Sequence, residues 1–268
     1  MLTPLSEAAD ADRFGGKAAA LARALNAGLP VPNGFALDVE SVEAFVTDDT
    51  LALSELAPCA ESTCWERWAV RSSALGEDGT SASFAGQHLT RLGIRGARAL
   101  LEAVRDVHAS VFSPAARAYR TRQGIAGPPQ TGVILQRLIF ADVAGVLFTK
   151  NPLTHTDELL IEASWGLGEV VVSSLVTPDR FRIARSGQVL ERTLGEKEVR
   201  LVLSAETLEQ TETTPEERAM CCLDDAQLGT LHALSDALDR IWSGPHDVEF
   251  AFFGDRLFVL QRRPLTTG

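Results

Sequence analysis

The sequence predicts a mixed fold of helices and strands (α+β, or mixed α/β), and three observations support this. Short apolar or β-branched segments bounded by turn residues, which are typical of strands, fill the middle of the chain. Amphipathic helical patterns lie before and after them, and an antiparallel pair of strands closes the sequence. This order favours α+β over a doubly wound parallel sheet. A chain of 268 residues has room for two ordinary domains or for one large domain built from two lobes.

The first half of the chain alternates helical and strand patterns. Helices are predicted for residues 18–27, 39–46, 96–111 and 114–123, and strands for residues 34–37 and 68–71. The first helix follows Gly15-Gly16-Lys17 and ends at Gly28, since glycine is common just past a helix end. Polar residues without a clear pattern reach to about Ser62, so we expect a link there. Residues 72–87 are rich in serine and glycine and predict a loop.

The second half begins with strands and ends with a helix and a hairpin. Strands are predicted for residues 133–140, 144–148 and 158–162, and a hairpin joins 181–184 to 189–192 around Ser186-Gly187. Residues 203–222 are polar and predict a surface excursion. A long helix follows, capped by Asp224 or Asp225, with an apolar stripe of Leu228, Leu231, Leu234, Leu238 and Ile241. Strands over 247–253 and 257–263 complete the chain.

Composition and missing motifs exclude several functional classes. The formal net charge is −11, and no segment combines clustered Lys and Arg with aromatic residues, so we expect no nucleic-acid partner. The sequence has neither a signal-peptide pattern nor eighteen consecutive apolar residues, and we expect a cytoplasmic protein that does not enter a membrane. The four cysteines lack metal-ligand spacing and predict free thiols. There is no GxxxxGK[ST], GxSxG or HExxH motif.

The remaining chemistry lies in cations beside glycine-rich or serine-rich segments. Lys17 follows two glycines at a predicted helix start, where backbone amides and the helix dipole favour an anion. Arg71 ends a predicted strand and enters the loop that contains residues 81–87, whose small side chains suit a cover over phosphates. From these residues alone, a solvated lysine and a flexible surface loop remain open alternatives.

The last hairpin carries a set of charged and amide side chains. Residues two apart in a strand share a face, so Asp247 lies with Glu249 and Gln261 lies with Arg263. A three-residue turn at residues 254–256 would place Glu249 opposite Gln261 and Asp247 opposite Arg263. Such a face offers oxygen ligands for Mg²⁺, with Arg263 either for a phosphate or for Asp247.

The register of this hairpin depends on the turn. The three-residue turn would also pair Phe250 with Leu260 and Phe252 with Phe258 on the other face. A two-residue turn would shift the register by one and separate the four polar residues. A surface charge ladder is the alternative interpretation of this pattern.

Ten short motifs occur in an order that matches a known family. They are Gly15-Gly16-Lys17-Ala18, Val31-Pro32-Asn33-Gly34-Phe35, Val70-Arg71-Ser72-Ser73-Ala74, Glu77-Asp78, Ser83-Phe84-Ala85-Gly86-Gln87 with Thr90, the segment 145–152 (GVLFTKNP), Gly166-Leu167-Gly168-Glu169, Thr177-Pro178-Asp179, Asp247-Val248-Glu249 and the segment 260–264 (LQRRP). The chain resembles the N-terminal nucleotide-binding domain of phosphoenolpyruvate synthase, pyruvate phosphate dikinase and rifampin phosphotransferase, an ATP-grasp fold with the nucleotide between two lobes. The resemblance covers nearly the whole chain.

The resemblance implies ATP and Mg²⁺ as ligands and assigns roles to particular residues. Catalytic contacts to the phosphates would come from Lys17, Arg71 and Arg263. Mg²⁺ would be held by Glu249 and Gln261, with Asp247 and Arg263 beside the polyphosphate. The remaining nucleotide contacts would be Ser83, Ala85, Gly86, Gln87 and Thr90 over the phosphates and the backbone of Gln136, Arg137, Leu138 and Ile139 at adenine.

In such enzymes ATP gives AMP, and a histidine on a separate swivelling domain takes the β-phosphoryl group. Here residues 1–268 predict a single nucleotide-binding domain with lobes of about 1–138 and 139–268, without a phosphohistidine motif or an acceptor domain. We therefore expect a histidine-bearing partner, and through it a small-molecule acceptor. A stand-alone kinase that gives ADP and a non-catalytic nucleotide-binding module are the alternatives.

Two positions depart from the family pattern. Leu89 stands where an acidic residue usually precedes the threonine, and Ser174 stands where a glycine is usual.

Overall fold

The computed structural model describes residues 1–62, 67–76, 89–122, 127–204 and 207–265. The chain forms two compact units, one of Met1–Gly28 with Pro32–Leu138 and one of Leu29–Val31 with Ile139–Gly268. In the described part, no helix is long and apolar enough to cross a membrane. Both units contain helices and strands, which confirms the predicted mixed class.

The described part of the first unit contains a five-stranded antiparallel sheet. Its strands in spatial order are β1 (Thr3–Pro4), β2 (Gly34–Leu37), β5 (Thr131–Arg137), β3 (Trp68–Ala74) and β4 (Thr90–Ile94). The α-helices are α1 (Ala11–Phe14), α2 (Gly16–Asn26), α3 (Val39–Thr47), α4 (Asp49–Ser62), α5 (Ala97–Ser110) and α6 (Pro114–Arg122). Apolar side chains of α3, α4 and α5 pack on those of β2, β3 and β5 to form the core.

Helix α4 lies where the sequence predicted a polar link, so that prediction was wrong. Ala52, Leu56 and Cys59 are buried in the core of this unit. Their spacing of four and three residues is the stripe of an amphipathic helix. The stripe is short, and Pro58 lies inside the helix. Packing against α5 supplies the stability that local sequence preference lacks.

Strand β3 extends to Ala74, so the predicted loop does not begin at Ser72. Ser72 pairs with Val133 and Ser73 with Gly132 on the neighbouring strand β5. The backbone hydrogen bonds of a central strand outweigh the turn preference of serine. Residues 77–87, which complete the predicted loop, lie outside the described residues.

The described part of the second unit contains a six-stranded antiparallel sheet. Its spatial order is β13 (Arg256–Pro264), β12 (His246–Phe253), β6 (Val143–Phe148), β7 (Glu158–Trp165), β8 (Asp179–Ala184) and β9 (Val189–Thr193). A separate hairpin joins β10 (Val199–Leu203) to β11 (Leu208–Glu212). The helices are α7 (Glu169–Val172), α8 (Pro215–Ala219) and α9 (Asp225–Ile241).

The polar stretch 203–222 has more structure than predicted. It contains β11 and helix α8, whose capping box joins Thr214 and Glu217. The Glu217 carbonyl accepts a hydrogen bond from the indole Nε1 of Trp165 at 2.9 Å. A partner from β7, distant in the chain, thus fixes this segment.

Helix α9 matches its prediction closely. Asp224 is the N-cap and forms a capping box with Gln227. The four predicted leucines of the stripe are buried, and Ile241 is half-buried. Strong capping and a long stripe make this helix readable from sequence alone.

A buried ion pair organises one end of the β8 strand. Lys197 Nζ lies 2.5 Å from Asp179 Oδ1, and both side chains are fully buried. The Asp179 carboxylate also accepts hydrogen bonds from the backbone amides of Gly195 and Cys222, both at 2.7 Å. Hydrogen bonds to both oxygens offset the cost of burying this charge. Asp179 belongs to the Thr177-Pro178-Asp179 motif, but no sequence pattern identifies Lys197 as its partner.

Candidate functional site

Lys17 and Arg71 lie on elements of the first unit that are fastened to each other. The buried Ser73 hydroxyl accepts a hydrogen bond from the Ala18 amide at 3.0 Å, which ties strand β3 to the first turn of helix α2. Gly15 has a φ of +84°, and a Cβ there would lie 1.9 Å from the Ser73 carbonyl oxygen. Only glycine permits this approach. Lys17 and Arg71 are both half-buried.

Thr90 is the next predicted contact, and it lies directly opposite Arg71 in the β3–β4 pair. The structure therefore brings these two predicted residues together. Ser83, Ala85, Gly86 and Gln87 lie outside the described residues.

The predicted adenine segment begins inside the first sheet. Gln136 is buried, and its backbone lies between Gly34 of β2 and Ala69 of β3. Its side-chain Nε2 donates to the Pro32 carbonyl oxygen at 3.0 Å. The Gln136 side chain thus stabilises the turn into β2.

The next three residues of this segment are Arg137, Leu138 and Ile139. The backbone amides of Arg137 and Leu138 donate hydrogen bonds to the carbonyl oxygens of Asn33 and Arg67, at 2.9 and 3.1 Å. The amide of Ile139 donates to no other residue in the described part of the chain. The backbone amide of Ile139 could therefore donate a hydrogen bond to a bound base.

The last hairpin brings the four polar residues together as predicted. Asp247 pairs with Arg263 and Glu249 with Gln261, which confirms the expected register at this end. The turn, however, contains two residues, Gly254 and Asp255, so the predicted three-residue turn was wrong.

A β-bulge reconciles the short turn with the predicted pairs. The register shifts between Glu249 and Phe250, where Leu260 is the extra residue on β13. Near the turn Phe250 therefore pairs with Val259 and Phe252 with Leu257, and the predicted partners Leu260 and Phe258 were wrong. Beyond the bulge the extra residue restores the register that the short turn had removed.

Asp247 and Arg263 form a partly buried ion pair. Arg263 Nε donates to Asp247 Oδ2 at 2.7 Å. Burial raises the pKa of Asp247, while Arg263 partly offsets that rise and the negative charge of Glu249 adds to it. The two carboxylates therefore interact, and a cation beside them would relieve their repulsion.

The opposed Glu249 and Gln261 offer the oxygen ligands that Mg²⁺ prefers. In the described residues, no group of three or more His, Cys, Asp or Glu side chains is arranged to hold a metal ion. Protein sites for Mg²⁺ commonly use one or two carboxylates together with phosphate oxygens and water. The donor set of this pair fits that pattern.

The opposite face of the hairpin carries a polar cluster that sequence reasoning missed. His246 is fully buried, and its Nδ1 accepts a hydrogen bond from Arg262 Nη2 at 2.8 Å. The Arg262 guanidinium also lies over the Trp242 ring at 4.6 Å. Burial and the positive charge of Arg262 lower the pKa of His246 to about 4, so the imidazole is neutral. Alternation along β12 and β13 was the available signal for this face.

Comparison with known proteins gives one family for this chain. Residues 50–268 match the family model described as "Pyruvate phosphate dikinase, AMP/ATP-binding domain". An uncharacterized phosphotransferase of Bacillus subtilis is 34% identical over 94% of this chain and 33% of its own length. A probable phosphoenolpyruvate synthase of Methanothermobacter thermautotrophicus is 32% identical over 94% of this chain and 44% of its own.

The chain thus spans less than half the length of these relatives. Among solved structures, that of PH1788 from Pyrococcus horikoshii covers 97% of both chains at 12% identity, with a TM-score of 0.47. This structural likeness is too weak to assign a fold. The family match covers most of the chain and is decisive: the protein belongs to the pyruvate phosphate dikinase AMP/ATP-binding domain family.

Proposed function

We propose that this chain is the ATP-binding component of a dikinase-type phosphotransferase. The observation that carries the proposal is the β12–β13 pairing, which sets Asp247 against Arg263 and Glu249 against Gln261 on one face. This face combines oxygen ligands for a hard cation with a guanidinium for a phosphate. The family to which the chain belongs is described as AMP/ATP-binding, in agreement with this chemistry.

In this proposal three cations serve the nucleotide phosphates. Lys17, Arg71 and Arg263 donate hydrogen bonds to phosphate oxygens. Glu249 and Gln261 hold Mg²⁺, which would neutralise charge on the phosphate oxygens. Phosphoryl transfer depends on in-line placement and charge neutralisation more than on covalent help from the protein. These residues supply both.

The rest of the nucleotide is assigned to neighbouring segments. The backbone of residues 136–139 recognises adenine, with the Ile139 amide as donor. Thr90 and the segment with Ser83, Ala85, Gly86 and Gln87 cover the phosphates.

We further propose the fate of the phosphoryl groups. ATP is split to AMP, the β-phosphoryl group passes to a histidine on a separate domain or protein, and the γ-phosphate leaves on water or phosphate. The histidine then delivers its phosphoryl group to pyruvate or another small molecule in the cytoplasm. The relative that is named a probable phosphoenolpyruvate synthase supports this assignment.

Product analysis tests the proposal. The protein is incubated with Mg-ATP, alone and with histidine-domain proteins encoded nearby, and followed by phosphorus NMR. We expect AMP and a phosphorylated partner. ADP with a phosphorylated small molecule would indicate a stand-alone kinase, and binding without turnover would indicate a non-catalytic module.

A variant pair tests the residues. Lys17→Ala should abolish turnover, because it removes a phosphate contact. Arg98→Ala removes an exposed cation from α5 of the same unit and should leave turnover unchanged. Full turnover by Lys17→Ala would contradict the site assignment.

A further inference from the structure

Two neighbouring serines of β3 have the same burial but different partners. Ser72 and Ser73 are 1% and 0% exposed, and they point to opposite faces of the sheet because strand side chains alternate. Ser73 Oγ accepts a hydrogen bond from the Ala18 amide of helix α2 at 3.0 Å. Ser72 Oγ has no hydrogen-bond partner in the described part of the chain. Ser72 is therefore a matched control for Ser73, because the two hydroxyls are similarly buried and differ in hydrogen bonding.

Ser73 takes the place of a missing helix cap. Helix α2 starts after Gly15, which has no side chain to accept the amides of the first turn. Ala18 is the third residue of the helix, and its amide is one that an N-cap side chain ordinarily satisfies. Here the acceptor comes from a strand 55 residues away. The cap therefore fixes the helix start to the sheet, which a local cap would not do.

Close backbone packing surrounds this hydrogen bond. Ser73 pairs with Gly132 of β5, and a Cβ on Gly132 would lie 2.5 Å from the Phe14 carbonyl oxygen. A Cβ on Gly15 would lie 1.9 Å from the Ser73 carbonyl oxygen. The Phe14-Gly15 backbone therefore rests directly on the two strands. The hydrogen bond to Ser73 holds the next turn of the helix in the same place.

We propose that Ser73 is a positioning residue that holds Lys17 in a fixed relation to Arg71. Lys17 immediately precedes Ala18 on α2, and Arg71 lies two residues before Ser73, on the same face of β3. One hydrogen bond thus joins the two elements that carry the two cations. The inference rests on the proposed function, in which both cations bind phosphates.

The Ser73 hydrogen bond should strengthen nucleotide binding, because it holds Lys17 in place before the polyphosphate binds. A bound polyphosphate gains most when its cations are already in place, because ordering a lysine on binding costs conformational entropy. Without the Ser73 acceptor, the Ala18 amide must turn to another partner or remain unsatisfied, and the first turn of α2 shifts or frays. Loss of the hydroxyl should therefore weaken nucleotide binding through Lys17.

Binding of Mg-ATP by isothermal titration calorimetry tests the inference, with urea unfolding as the check on folding. We expect Ser73→Ala to raise the Kd about tenfold, a change typical of one well-placed hydrogen bond. The matched control Ser72→Ala removes a hydroxyl of equal burial without a partner and should change the Kd by less than about twofold.

A double-mutant cycle with Lys17→Ala separates positioning from a general structural role. If Ser73 acts through Lys17, Ser73→Ala should raise the Kd by less than about twofold once Lys17 is absent. An equal loss in both backgrounds would overturn the inference, as would equal behaviour of Ser73→Ala and Ser72→Ala. If Ser73→Ala does not fold, Ser73→Cys keeps the volume with a weaker acceptor and should show the same dependence on Lys17.

Failure of the proposed function and failure of the positioning role give different binding results. If Lys17→Ala alone leaves the Kd unchanged, Lys17 does not bind phosphate, and both proposals are rejected. If Lys17→Ala weakens binding and Ser73→Ala does not, the positioning role is rejected and the proposed function stands.

Discussion

Two carboxylates of β12, Asp247 and Glu249, lie close enough for the negative charge of Glu249 to act on Asp247. Glu249 contributes to the raised pKa of Asp247, although Arg263 opposes this effect. In the proposed site Glu249 is the carboxylate that faces an amide, Gln261, and Asp247 is already paired with an arginine. The two acids therefore have different tasks. In this proposal Glu249 binds the metal, and Asp247 orients Arg263.

Glu249→Gln should raise the Mg²⁺ concentration needed for ATP binding at least about tenfold, because it replaces a charged ligand with a neutral one. The measurement is calorimetric titration of ATP at a series of Mg²⁺ concentrations. Glu191→Gln, which alters an exposed carboxylate on the edge strand β9, is the control and should leave this dependence unchanged. An unchanged Mg²⁺ dependence for Glu249→Gln would remove Glu249 from the metal site.

His246 makes stability depend on pH. Its pKa falls from the ordinary histidine value of about 6.5 to about 4 in the folded protein, so protonation favours the unfolded chain. The stabilisation is fully present above pH 6.5 and is lost as the pH falls towards 4, by about 3 kcal/mol in all. The Glu158 carboxylate, whose pKa Arg182 lowers to about 2, contributes a further loss between pH 4.5 and 2.

Urea unfolding at a series of pH values should show the first of these losses. His246→Gln has no imidazole to protonate and should flatten the curve between pH 4 and 6.5, while His155→Asn, in an exposed loop, should not. A curve for His246→Gln as steep as that of the unaltered protein would show that another group is responsible.

At the scale of elements, one extra residue in β13 decides which side chains share a face. Leu260 is the bulge that sets Gln261 against Glu249 despite the two-residue turn. A second bulge occurs on the opposite edge of the same sheet, where Leu190 is the extra residue in β9. Both are single-residue irregularities, but only the first is next to the proposed site.

Deletion of Leu260 should abolish Mg-ATP binding while the hairpin still forms, because residues 261–263 would move by one position to the other face. Deletion of Leu190 makes the same kind of change in β9 and should preserve binding. Calorimetry measures the binding, and circular dichroism checks the fold. Retained binding after the Leu260 deletion would mean that the face of β13 is not the site.

Helices α4 and α9 differ in how much of each the sequence reveals. Helix α9 has a capping box and four buried leucines at helical spacing, and the structure confirms its prediction. Helix α4 has a short stripe and an internal proline, and its packing against α3 and α5 explains why it forms. Short helices depend on tertiary contacts for most of their stability, so local patterns identify them poorly.

At the scale of the whole molecule, the proposed ligands are divided between two units. Lys17 and Arg71 belong to the first unit, and Glu249 and Gln261 belong to the second. The proposed function assigns phosphate contacts to the first set and metal contacts to the second. This assignment can be tested without knowing the phosphoryl acceptor.

Hydrogen exchange gives the test. With Mg-ATP at about 100 times its Kd, amides of both β3 and the β12–β13 hairpin should exchange up to about 100-fold more slowly, because binding suppresses opening. Lys17→Ala at the same nucleotide concentration should lose this protection in both units. Protection confined to one unit would contradict the ligand assignment in the other unit.

The sequence by itself determined the mixed class, most element positions and the family, since these depend on local periodicity and on ordered motifs. It also predicted the Asp247–Arg263 and Glu249–Gln261 pairs, although from the wrong turn. The roles of the proposed ligands stay predictions. Only the tertiary structure decided the Leu260 bulge, the Lys197–Asp179 pair, the His246–Arg262 contact and the Ser73 cap of α2. Each depends on atoms that folding brings together from different strands, helices or loops, and such contacts leave no periodic trace in the chain.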